Sequence, residues 1–206
     1  MTALAFVHRL EPATASNHPP LLLLHGTGGD ESDLLPLGRT VAPGAALLSP
    51  RGGVLENGMP RFFRRLAEGV FDEDDLRRRA ADLARFVGDA RAAYGLPAPV
   101  ALGFSNGANI AAALLLLHPG VLAGAALLRP MRPLADPPGP DLTETPVLML
   151  SGALDPIVPE ANARGLAETF RAAGARVTHT VLPTGHGLSQ ADVTAVEAWL
   201  GPLAAA

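Results

Sequence analysis

The chain has 206 residues, 48% of them hydrophobic and 17% charged, with a net charge of −4. That is enough apolar chain to bury the core of one domain spanning 1–206, and the balance excludes a disordered chain and a basic nucleic-acid or anionic-membrane footprint. Cysteine is absent and all 16 basic residues are Arg, which removes disulfides, thiolate nucleophiles, sulfur-ligated metals and lysine Schiff bases from the available chemistry.

In chain order, Met1 to Arg9 lacks the basic start and apolar run of a secretory signal. Leu21 to Leu24 is a continuous apolar run after a Pro pair and reads as a buried strand, followed by the Gly-rich segment His25-Gly26-Thr27-Gly28-Gly29-Asp30. Ala45 to Ser49 is a second strand. The short basic cluster Arg61, Arg64 and Arg65 reads as a solvated or locally paired surface. Asp72 to Tyr94 carries an apolar stripe at Leu76, Ala80, Leu83, Val87 and Tyr94, with carboxylates in the first turn and Gly95 at the end, and reads as a helix.

Val100 to Phe104 is a strand, Asn106 to Leu117 a buried helix, Leu122 to Leu128 a strand, and Arg129 to Pro146 a Pro-rich loop. Val147 to Leu150 and the alternating Arg176 to Leu182 are strands; Glu160 to Ala173 and Ala191 to Leu200 are helices. Strand and helix alternate, which predicts an α/β fold: a mostly parallel central sheet with helices on both faces. The longest apolar run, Ile110 to Leu117, falls well short of the roughly 20 residues of a bilayer span, so a soluble, cytoplasmic protein without membrane insertion is expected.

Gly103-Phe104-Ser105-Asn106-Gly107 matches G-x-S-x-G between a predicted strand and a predicted helix. With 22 Gly and 6 Ser in the chain, about 0.07 matches are expected by chance, so the motif is informative. A sharp strand-to-helix turn pushes the Ser105 hydroxyl out over the sheet edge, and the helix N-terminus favours negative charge there. The order Ser, acid, His assigns His186, in Thr184-Gly185-His186-Gly187 after the last strand, as base. It assigns Asp155, in Gly152-Ala153-Leu154-Asp155-Pro156, as the residue that orients the base. Asp136 and Asp141, in the Pro-rich loop, compete for that role; Asp155 also reads as a helix N-cap.

Of the other histidines, His8 and His18 precede the core, His118 ends a helix, His179 lies within a strand, and His25 is expected to brace the Gly-rich loop. The backbone N–H groups of Thr27 and Asn106 are the expected oxyanion hole. Phe62, Phe63, Met131, Ile157 and Leu188 are candidate pocket residues. With only the 129–146 loop as cover, an open site for short acyl chains is expected.

The segments Leu24-His25-Gly26-Thr27-Gly28-Gly29-Asp30-Glu31, Gly103-Phe104-Ser105-Asn106-Gly107-Ala108-Asn109, Gly152-Ala153-Leu154-Asp155-Pro156-Ile157-Val158-Pro159 and Gly185-His186-Gly187 together resemble the carboxylesterase/phospholipase family of α/β-hydrolases. That family also holds acyl-protein thioesterases and small bacterial carboxylesterases. Ser49-Pro50-Arg51-Gly52 and Met59-Pro60-Arg61-Phe62-Phe63 resemble a bacterial branch. The resemblance implies an α/β-hydrolase fold with little or no lid, hydrolysis of small carboxylic esters, no cofactor or metal, and often a homodimer. Thioesterase members more often carry Gln where this chain has Asn106. Thioesterase or lysophospholipase activity is the alternative within the family, and a silent binding protein on the same scaffold the alternative outside it.

Overall fold

In the computed structural model, residues 4–14 and 17–205 are described. The elements run β1 (His8–Glu11), β2 (Leu21–Leu24), α1 (Leu35–Val41), β3 (Leu47–Pro50), β4 (Val54–Glu56), β5 (Met59–Arg61), β6 (Arg65–Ala67), β7 (Val70–Phe71) and α2 (Glu73–Tyr94). They continue through β8 (Val100–Phe104), α3 (Asn106–Leu117), β9 (Gly124–Leu128), β10 (Pro146–Gly152), α4 (Glu160–Ala172), β11 (Arg176–Leu182) and α5 (Gln190–Leu200), ending in a 3-10 turn at Gly201–Ala205.

Seven strands form one sheet in the order β1-β3-β2-β8-β9-β10-β11. Only β1 is antiparallel to its neighbour; the other pairings are parallel. Side chains alternate across a strand, so one apolar run feeds two cores. Leu22, Leu24, Ala101, Leu127 and Met149 pack with α2, α3 and α4 on one face. Leu21, Leu23, Leu102, Leu128 and Leu150 pack with α1 and α5 on the other. That two-sided burial explains why β2, β8 and β9 read as continuous apolar runs rather than alternating ones.

Helix α2 is defined at both ends by its own sequence. The Asp72 side chain accepts from the Asp75 N–H at its start, and Gly95 closes it in the left-handed conformation. The Pro-rich segment carries no helix or strand over 129–145, Pro146 already belonging to β10, but buries Leu134 and Leu142.

Three features depart from the sequence expectation: strand β1, helix α1, and the two hairpins β4–β5 and β6–β7. The first two are short and lack a long apolar pattern. The hairpins carry a local signal that the pattern reading passes over. Asn57-Gly58 joins β4 to β5 with φ of 52° and 80°, the backbone of a tight two-residue hairpin turn. Glu68-Gly69 joins β6 to β7. These hairpins, rather than the 129–146 loop alone, wall the cleft described next.

Candidate active site

Ser105 stands between β8 and α3 with φ 52° and ψ −113°, a backbone conformation that non-glycine residues rarely adopt. Such a turn persists only where its surroundings hold it. Its N–H donates to Leu128 O on β9 at 2.9 Å, and its own C=O accepts the first helical bond, from Asn109 N–H. Gly107 allows the close crossing beneath it, since a Cβ there would lie 1.9 Å from Leu24 O.

His186 Nε2 lies 3.0 Å from Ser105 Oγ, and its Nδ1 lies 2.8 Å from Asp155 Oδ2. The Asp155 side chain is fully buried and that of His186 is 20% exposed, so the line runs from the interior to a solvent-reachable hydroxyl. The second oxygen of Asp155 accepts the N–H groups of Ile157 and Val158. The carboxylate is thus fixed by its own loop and is not the cap of α4, whose N-cap is Pro159. The competitors lie elsewhere: Asp136 is exposed, and Asp141 accepts from Thr143. His179 Nε2 is hydrogen-bonded to Ser151 Oγ at 2.9 Å, and His8 to Tyr94.

Of the three groups, Ser105 and His186 open into a cleft of about 230 Å³ that also includes Thr27, Asn106, Asn109, Met131 and Ile157, while Asp155 lies buried behind them. A larger cavity, of about 440 Å³, contains none of the three and is lined by Phe6, Val7, Phe62 and Phe86 with charged side chains. Asn106 begins α3, so its N–H belongs to the first turn, which has no intrahelical acceptor. Its side-chain oxygen accepts the Phe62 N–H at 2.8 Å, tying helix to hairpin. Asn109 does the same for Met131 N–H at 2.7 Å.

His25 spans the loop after β2. A backbone N–H can only donate, so the Gly52 N–H at 2.9 Å makes Nε2 an acceptor, and Nδ1–H donates to Gly26 O at 2.6 Å. That pattern requires a neutral imidazole. Burial, the largest influence, holds its pKa below the ordinary histidine value.

Three pocket expectations are corrected. Phe62 and Phe63 are 3% and 0% exposed and belong to the core rather than the cleft. Phe62 packs on the His25 ring and Phe63 edge-on to Phe71, because both rings are drawn between the hairpins and α2–α3. Leu188 is 40% exposed and outside the cleft lining. The hairpins instead contribute Arg61, Arg65, Glu68, Gly69 and Phe71.

The basic cluster is locally paired, Arg64 with Asp72 and Arg65 with Glu56. Arg61, however, is not solvated. It is 3% exposed, lies 3.2 Å from Glu56, and donates through Nη1 to Thr27 Oγ1 at 2.6 Å. No local sequence signal marks it for this role, since the contact spans 34 residues.

MhqD of Bacillus subtilis (strain 168), a protein named only as a hydrolase, is 44% identical over 194 residues, covering 93% of this chain and 96% of its own. The chain belongs to the carboxylesterase/phospholipase family of α/β-hydrolases. Two solved members of this fold are close. A Bacillus cereus carboxylesterase is 43% identical with a TM-score of 0.92, over 94% of this chain and 92% of that one. A carboxylesterase from Mesorhizobium loti is 37% identical with a TM-score of 0.92, over 97% and 96%. A family model described as TAP-like protein matches residues 128–200, the part of this α/β-hydrolase that carries Asp155 and His186. No described helix is long and apolar enough to cross a membrane.

Proposed function

We propose that the protein is a serine carboxylesterase that hydrolyses small, short-chain carboxylic esters through Ser105, His186 and Asp155. The observation that carries this reading is the continuous hydrogen-bonded line from Asp155 through His186 to Ser105, at 2.8 and 3.0 Å. Close relatives named carboxylesterases support the same class.

Ser105 Oγ attacks the ester carbonyl as His186 Nε2 takes its proton, and Asp155 holds the ring by Nδ1–H and stabilises the imidazolium. The backbone N–H groups of Thr27 and Asn106 hold the developing oxyanion. The neighbouring amides of that loop are engaged elsewhere, Gly28 N–H on Pro60 O and Gly29 N–H on Gly26 O. His186 then returns the proton to the leaving alcohol, which departs, and water repeats the cycle on the acyl-enzyme. The cleft of about 230 Å³ suits a small ester.

Ser105→Ala is expected to lower kcat by about 10⁴-fold or more and to abolish covalent labelling by a fluorophosphonate, with an unchanged melting curve. Activity retained in that variant overturns the assignment. In a p-nitrophenyl ester series, a maximum at C12 or longer contradicts the short-chain preference. Faster turnover of a matched sulfur ester would reassign the protein as a thioesterase.

A further inference from the structure

We propose that Arg129 is a positioning residue that keeps the His186 loop in register with Ser105; this rests on the reading of Ser105 and His186 as nucleophile and base. Arg129 follows β9 directly, and its side chain is fully buried against Asp192, itself 1% exposed. Its φ is 55°, against 52° for Ser105. The two residues stand abreast, because Phe104 and Leu128 are paired in the parallel register. Two left-handed residues thus sit side by side at the carboxyl end of the sheet, where surrounding contacts must hold them.

The contacts of the guanidinium identify what it holds. Nε donates to Gly185 O at 2.9 Å, and Nη2 to Gly187 O at 3.2 Å and to Thr184 Oγ1 at 3.0 Å. Nη1 donates to Leu150 O at 3.3 Å, and the two terminal nitrogens grip Asp192 at 2.7 and 2.9 Å. The carbonyls on both sides of His186 therefore end on one rigid, planar group. Asp192 in turn accepts from the Ser189 N–H and hydroxyl, which begins α5.

Apart from the clamp, the backbone of the loop is anchored at its start, where Thr184 N–H donates to Leu182 O at 2.8 Å and Thr184 O accepts from Leu154 N–H at 3.0 Å. Residues 184–187 form no helix or strand, glycines flank His186, and a Cβ at Gly187 would meet nothing within 4 Å. A buried ion pair is in general a poor stability device, since apolar replacements are often neutral or better. Its geometry here accounts for it: three of its six contacts land within two residues of His186.

The test compares Arg129→Met, Arg129→Lys and the paired apolar replacement Arg129→Met/Asp192→Leu with wild type. If the clamp positions His186, folded variants lose about 100-fold in kcat on p-nitrophenyl acetate, the cost of a displacement near 1 Å, while KM moves less than about threefold. The double variant regains the urea midpoint of wild type but not its kcat. The low-field proton signal of His186 Nδ1–H, assigned by its loss in His186→Ala, broadens or disappears in each.

A folded double variant with wild-type kcat and an intact His186 signal overturns the proposal and leaves the pair a structural one. Should Arg129→Met fail to fold, the double variant and Arg129→Lys decide by the same readouts. Should wild type neither hydrolyse esters nor react with a fluorophosphonate, the esterase reading falls. The proton signal alone then judges the clamp: retained in folded Arg129 variants, it refutes it.

Discussion

A methyl group added at Gly107 sets helix propensity against packing. Gly107 is the second residue of α3, so propensity alone makes Gly107→Ala stabilising by about 0.5–1 kcal/mol. The added Cβ would lie 1.9 Å from Leu24 O, 2.4 Å from Leu24 C and 2.6 Å from His25 O. All three are backbone atoms at the end of β2, so no side chain can swing away. Reaching the 3.0 Å floor of real contacts requires helix and strand end to part by about 1.1 Å. Overpacking costs roughly 1–3 kcal/mol, and a backbone obstacle puts this site at the upper end. The net expectation is a loss of about 2 kcal/mol, or roughly 4–8 °C in Tm for a chain of this size.

The parting segments carry Ser105 and Asn106 on one side and the loop to Thr27 on the other. The same displacement should therefore lower kcat by about 100-fold. Urea and thermal unfolding give the stability, and steady-state hydrolysis of p-nitrophenyl acetate gives the rate. A Gly107→Ala protein with raised Tm and unchanged kcat would refute the packing argument.

Gly187→Ala, beside His186, is expected to change stability by no more than about 0.5 kcal/mol and to keep kcat within a few-fold, since its Cβ would enter open space; melting and rate assays check both. Asp155→Asn leaves an acceptor for the Ile157 and Val158 N–H groups but turns a donor toward His186, favouring the tautomer with the proton on Nε2. Steady-state kinetics should then record a kcat loss of about 10⁴-fold in a folded protein. His25 contributes a pH dependence of stability. Because burial lowers its folded pKa, both states are neutral above the unfolded value. As pH falls through about 6.5 the unfolded chain takes up the proton first and stability is lost, down to the folded pKa. Urea midpoints measured between about pH 7.5 and 5.5 should fall, and His25→Asn should flatten part of that slope, His118 and His179 sharing the same sign. Phe170→Ala, on the buried face of α4, should cost about 3–5 kcal/mol by chemical denaturation.

Read in order, the chain determines six of the seven strands of its sheet and the elbow at Ser105. Buried runs such as Leu21–Leu24, the striped helix after Asp72 and the G-x-S-x-G motif are local patterns, and local physics writes them. The Asn57-Gly58 turn was equally local and predicts the hairpin that carries Arg61. What depends on tertiary structure is proximity. Phe62 and Phe63 have the composition of pocket residues, and only the packing of the hairpins on α2 and α3 turns them inward. Arg61 reaches Thr27 across 34 residues, and Arg129 reaches the His186 loop across as many as 58. A buried guanidinium takes whichever acceptors the folded chain brings to it, and no pattern within one segment encodes which those are.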